Sequence, residues 1–313
     1  MGGAASSTTS SQPPGRSLVD AHHHLWDPTR NYHPWLCDTP PIPFRYGDYA
    51  AIRRPYLSAQ YRADAAPRRI AASVYVETEW TPDDPAGEMD YVAEIRRQSG
   101  LPSVAVAQAW LDREDCVRVL EGHAARPFVR SVRHKPRANR DARDGTPGGM
   151  SDGRWRAGFA RLAGLGLRFD LQTPWWHLGE AARLAADFPD TAIILNHTGL
   201  PADRSPEGLA GWRAAMARLA EAPNVSVKIS GLGQPDRAWT AEANRAIVLT
   251  TIDLFGAGRC MFASNFPVDS LCGSFDSIFS GFEAIVSDFS EAEQEALFGG
   301  NARRIYDIGA VHG

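Results

Sequence analysis

The chain has 313 residues, with 33 Lys and Arg against 37 Asp and Glu and a formal net charge of −4. That length can bury a large core in one domain or two, and the charge offers no basic footprint for nucleic acid. The four cysteines, Cys37, Cys116, Cys260 and Cys272, form no C-x-x-C pair, and no run approaches the roughly 20 apolar residues of a membrane span, so zinc knuckles, a disulfide framework and a membrane anchor are all unexpected and a cytoplasmic setting is expected.

Residues 1–16, "MGGAASSTTSSQPPGR", are small, polar and rich in Pro and Gly, and are expected to be a disordered leader without the apolar heart of a secretory signal. Residues 17–313 are expected to be one domain. Eight β-rich runs follow in order: "SLVDAHH", "IAASVYVE", "SVAVAQAW", "FVRSVRH", "LRFDLQ", "AIILNH", "VSVKIS" and "CMFASN". Several are almost continuously apolar, as strands covered on both faces are. Between them lie helical stretches such as "GEMDYVAEIRRQSG" and "EGLAGWRAAMARLAEAPN", many stopped by Gly or Asn/Pro.

Eight strands with crossover helices predict a (β/α)₈ TIM barrel; the competing doubly wound sheet lacks a G-x-G-x-x-G turn after its first strand. The first crossover, from Trp26 to about Arg69, is long and aromatic, and is expected to cover the barrel mouth. A second insertion, "KPRANRDARDGTPGGM", reads as a mobile flap.

The triplet in "LVDAHHHLWDP" is the first chemical signal. Alternate side chains of a strand share a face, so His22 and His24 point together and His23 points away. At the C-terminal end of a first barrel strand such a pair reaches the usual site of barrel chemistry; for an isolated H-x-H, ordinary hydrogen-bonded packing is an equal alternative. The other strand ends agree in character. Glu77 ends the second run, Gln172 the fifth on the face of Asp170 and Arg168, His197 the sixth and Asn265 the eighth. Lys228 falls within a strand that must be buried, and Arg130 shares a face with His134.

These motifs, with "YHPWL", "VRHKP", "ILNHTGLP", "VKISGLG", "MFASNFPVD" and "ALFGGNARRIY", resemble in the same order those of the amidohydrolase superfamily, in its branch of sugar-acid and dicarboxylate lactonases. The resemblance spans Leu18 to about Tyr306 and implies a barrel hydrolase acting on a small molecule. It places His22 and His24 as the first-strand pair and His197 as the sixth-strand histidine. Two departures follow: Gln172 stands where metal-binding members carry a histidine, and Asn265 where they carry an aspartate base.

The function this implies is water attack on the carbonyl of a lactone, or similarly activated cyclic ester, of a carboxylated or polyhydroxylated compound. Asp269 is the first choice of base and His197 the second. His22, His24 and Lys228 would polarise the carbonyl, and Arg130 or Arg133 would grip a carboxylate, with a rim salt bridge the alternative for each. Gln172, Glu77 and Trp26 complete the expected binding surface. A metal is not expected to be essential; one zinc on His22, His24 and His197 is the alternative, and would suit a decarboxylase of the same superfamily. A barrel that only binds or isomerises its ligand is the third reading.

Overall fold

The computed structural model describes residues 16–309. The expected leader thus lies outside them except for Arg16, whose guanidinium donates to Gln294 Oε1 at 2.8 Å. Eight strands form one parallel sheet in sequence order: β1 Ser17–His23, β2 Arg69–Val76, β3 Val104–Gln108, β4 Val129–Arg133, β5 Arg168–Leu171, β6 Ile193–Leu195, β7 Val225–Ile229 and β8 Cys260–Phe262. The ring closes where the segment after β8 meets the end of β1: Asn265 N–H donates to His22 O and His24 N–H to Phe266 O, both at 2.8 Å. All eight expected runs are strands.

At least one α-helix follows each strand, and one of them is the crossover helix packed outside the sheet. That after β1, Ser58–Ala65, stands at the end of the long crossover, and that after β8 is Phe275–Ile285. Local sequence sets their ends. Ser205 accepts from Gly208 N–H before Pro206–Ala220, Thr240 accepts from Ala243 N–H before Ala241–Phe255, and Gly100, at φ 73°, closes Gly87–Ser99.

The barrel interior is layered along its axis. Val19, Ala21, Ala72, Val74, Val106 and Met261 fill its lower part with Ile305 and Tyr306 from the last helix, Asn301–Ile305, and the segment after it. Above them is a polar layer on Asp170, whose carboxylate pairs with Lys228 Nζ at 2.7 Å. It also accepts from Tyr306 Oη, Ser131 Oγ and Asn196 Nδ2. The hydrogen bonds satisfy the carboxylate side of this buried pair, whereas Lys228 Nζ has only Asp170 and, 4.9 Å away, the Tyr306 ring among the described residues.

β1 contains a phase shift that alternation alone does not predict. Its register slips between Asp20, paired with Ser73, and His23, paired with Tyr75. Ala21 and His22 therefore both face inward, while Asp20 turns out to accept from Tyr61 Oη at 2.9 Å. His23 also faces outward, stacked on Tyr61 with its Nε2 3.0 Å from Ser73 Oγ.

Candidate active site

A cavity of about 260 Å³ opens at the C-terminal ends of the strands. Its floor is made by His24, Glu77, Arg133, Gln172, His197 and Asn265, each at or just beyond a strand end, and its lid by Trp35, Ile42, Phe44 and Arg45 of the first crossover. That crossover is ordered by its aromatic residues: Trp35 stacks on Phe44 and packs against Tyr49, whose Oη donates to Trp35 O. Trp26 lies outside the lining; it is fully buried and donates through Nε1 to Ile52 O and Arg54 O, holding the lid rather than facing the cavity. The expected flap at 135–150 is tied down, with Gly148 N–H on Glu180 Oε1 and Asn139 N–H on His177 Nε2, and gives Lys135 to the cavity wall.

His22 and His24 point together, their Nε2 atoms 3.3 Å apart, with the His197 ring 4.7 Å from that of His22. The Nδ1 of His24 lies 2.8 Å from Val76 O, so this nitrogen carries the proton and Nε2 presents a lone pair. His22 Nδ1 is buried and has no hydrogen-bond partner among the described residues. Burial, joined by Lys228 at His22, Arg133 at His24 and Arg45 at His197, holds all three imidazoles well below their ordinary pKa. They are neutral at pH 7.

Two nitrogens on a tetrahedral zinc, with bonds of about 2.0–2.1 Å, stand about 3.3–3.4 Å apart. The His22–His24 pair fits one edge of such a site. A third donor does not join it: among the described residues no three His, Cys, Asp or Glu side chains converge as a metal cluster. His197 instead sets Nδ1 at 2.9 Å from Ser230 Oγ, and an amide, Asn265, occupies the eighth-strand position. The donor set falls short of the three protein ligands usual in catalytic zinc sites.

Asp269 sits behind Asn265 and outside the cavity lining. It accepts from Asn265 Nδ2 at 2.6 Å, Tyr46 Oη at 2.9 Å and Gly231 N–H at 3.1 Å, and burial pushes its carboxyl up to about 6 against Arg45 and these donors. With Nδ2 committed, Asn265 offers its Oδ1 to the cavity. Lys228, fully buried and bound to Asp170, lies beneath the floor rather than in it.

The two candidate arginines separate. Arg133 is inward, 2.5 Å from Glu77 Oε1, with Nη1 3.1 Å from Gln172 Oε1. Arg130, the second residue of β4, lies near the opposite rim, 3.7 Å from Asp307, and does not line the cavity. The sequence reading did not single out Arg45, Glu79, Lys135 or Ser230. Arg45 lies in the irregular crossover, where no periodicity marks which side chain turns inward; Lys135 follows β4 by two residues and pairs with Glu79.

The sequence profile of the amidohydrolase family matches residues 19–308. The protein y4mH of Sinorhizobium fredii is 40% identical over 295 residues, covering 93% of this chain and 99% of its own. An L-fucono-1,5-lactonase of Burkholderia multivorans is 28% identical over 308 residues, covering 94% of this chain and 97% of its own. An amidohydrolase from Burkholderia multivorans, crystallised with zinc bound, superposes with a TM-score of 0.77 at 25% identity, over 94% of this chain and 100% of that one. With eight strands, a histidine pair at the end of β1 and a family match along nearly the whole chain, the protein belongs to the amidohydrolase family and is a hydrolase of that superfamily.

Proposed function

We propose that this enzyme hydrolyses a lactone of a small polar compound. The observation that carries the reading is one cavity lined together by a neutral imidazole, His197, by the Asn265 amide and by the cations Arg45, Arg133 and Lys135. A water between His197 Nε2 and Asn265 Oδ1 attacks the carbonyl carbon. His197 takes its proton, with Nδ1–H held by Ser230 Oγ. The charge that develops on the carbonyl oxygen is stabilised by the Arg133 guanidinium, with Lys228 adding positive potential from below. Collapse breaks the bond to the ring oxygen, which receives the proton from His197, leaving a hydroxy acid.

In this scheme Asp269 is a positioning group rather than the base. It anchors the Asn265 amide so that Oδ1, not Nδ2, meets the water. His22 and His24 are the residues that would hold a divalent ion, and no step above passes through one. The likeness to fucono-lactonases supports a lactone substrate. The test is a panel of sugar-acid and carboxylated lactones followed with a pH indicator, using chelator-treated and zinc-supplemented enzyme. Release of one proton per ring opened, in both preparations, is expected; no turnover of any lactone would refute the reading.

A further inference from the structure

Beside the main cavity, over the ends of β3 and β4, lies a second chamber of about 80 Å³. Gln108, Trp110 and His134 belong to it alone, whereas Glu77, Glu79, Arg133 and Lys135 line both. That common wall carries two ion pairs, Arg133 on Glu77 and Lys135 on Glu79, so each of its cations is already met by a carboxylate. The chamber therefore offers a ligand no net charge.

Its remaining polar groups are not used by the fold. Gln108 is the last residue of β3 and follows Val104 and Val106 on the inward face. It is 7% exposed, and its Oε1 is buried with no hydrogen-bond partner among the described residues. A buried amide oxygen without a donor is costly. The tautomer of His134 follows from its neighbours: Leu111 N–H and Trp155 Nε1–H both donate to Nδ1, at 3.1 and 3.0 Å. Nδ1 thus holds the lone pair, and Nε2 carries the proton as a donor. Trp110, 38% exposed, is one of the few large apolar side chains turned to solvent, its ring 5.2 Å from that of His134.

An acceptor, a donor and an open aromatic face around an uncharged hollow match a sugar ring. Each hydroxyl both donates and accepts, and the ring C–H groups present partial positive charge to the indole face. By volume the chamber seats about six water-sized groups, roughly the inner half of a pyranose. We propose that Gln108, Trp110 and His134 form a neutral glycosyl subsite next to the hydrolytic cavity, so that the substrate carries a second sugar ring on its lactone. The lactone rests on the function proposed above; the subsite rests on these three side chains.

The probes are cellobionate and gluconate, the same acid with and without a glucosyl substituent, titrated calorimetrically into the full-length enzyme, Trp110→Ala and Gln108→Leu. Cellobionate is expected to bind at least tenfold more tightly than gluconate. That advantage should vanish in Trp110→Ala and shrink about three- to tenfold in Gln108→Leu, the worth of one hydrogen bond, with gluconate affinity unchanged in both. Gln108→Leu leaves no protein partner of Oε1 unpaired, so it reads binding even if Trp110→Ala disturbs the loop after β3. Equal affinity for the two acids, no binding of either, or a cellobionate advantage undiminished in both variants overturns the subsite. Hydrolysis of the lactones of both acids by the same preparations separates the readings: a cellobionate preference without turnover of either lactone sinks only the proposed reaction, and turnover without that preference sinks only the subsite.

Discussion

Substituting Gly231 by Ala places one methyl group where the site has no room for it. The residue follows β7 with φ 61°, in the left-handed region that costs a non-glycine residue about 1–2 kcal/mol. Its Cβ would lie 2.5 Å from His197 Nδ1, against the 3.4 Å of ordinary contact, so the imidazole must move by roughly 0.9 Å or the backbone must yield. Overpacking of this kind adds about 1–3 kcal/mol. The expected loss of stability is therefore about 2–5 kcal/mol, and a base displaced by nearly 1 Å should cost about 10²-fold in turnover. Gly166→Ala is the control: its φ is 68° with nothing within 4 Å of the added Cβ, so it should lose about 1–2 kcal/mol and keep full activity. Thermal unfolding and lactone turnover measured on both variants decide the matter. If Gly231→Ala matched Gly166→Ala in stability and in rate, the placement of His197 against Gly231 would be wrong.

Exchanging His22 or His24 for Asn should lower the zinc content left after dialysis, because it removes one of the two nitrogens that would hold the ion, whereas the same change at His23, stacked on Tyr61 outside the barrel, should cost about 0.5–3 kcal/mol of stability and leave zinc content and turnover unchanged; a loss of zinc or of turnover confined to His23 would contradict the phase of β1. Asp269, with its carboxyl raised to about 6, must be ionised to anchor Asn265, so kcat/KM should fall as pH drops through about 6. Asp269→Asn should lower the plateau and remove this acid limb; a limb that survives the substitution assigns it to another group. Asn265→Asp sets a second carboxylate about where Nδ2 stands, 2.6 Å from Asp269, so the pair should share a proton near neutral pH and zinc binding, read by metal analysis after dialysis, should rise; unchanged zinc content would argue against Asn265 facing the His22–His24 pair.

The barrel was legible because its strands are apolar on both faces and its helices carry their own caps and stops, signals local in sequence. The expected runs overshoot their strands by up to three residues, and the overshoot holds much of the chemistry: His197 and Asn265 take positive φ, at 55° each, just where the ladder ends. Alternation paired His22 with His24 correctly but gave no warning of the slip that turns Asp20 outward, because a bulge leaves no mark in composition. The same limit applied to Arg130 and Arg133, since period-two reasoning yields two faces and only the closed barrel selects the inward one. Asp269 was read as reaching the reacting water; the turn after Asn265 places it behind that amide. Arg45 lies in a loop whose path depends on tertiary packing. The helix Phe275–Ile285 was passed over among aromatic and β-branched residues of modest helix propensity, and its formation reflects burial of Phe275, Phe279 and Phe282.

The account rests most heavily on His197 activating water against a lactone carbonyl, and hydrolysis in H₂¹⁸O by chelator-treated wild type and His197→Gln tests it directly. One ¹⁸O atom in the new carboxylate, with a rate lower by about 10²–10⁴ in the variant, is the expected result. Label in the liberated hydroxyl, or wild-type turnover by His197→Gln, would contradict it.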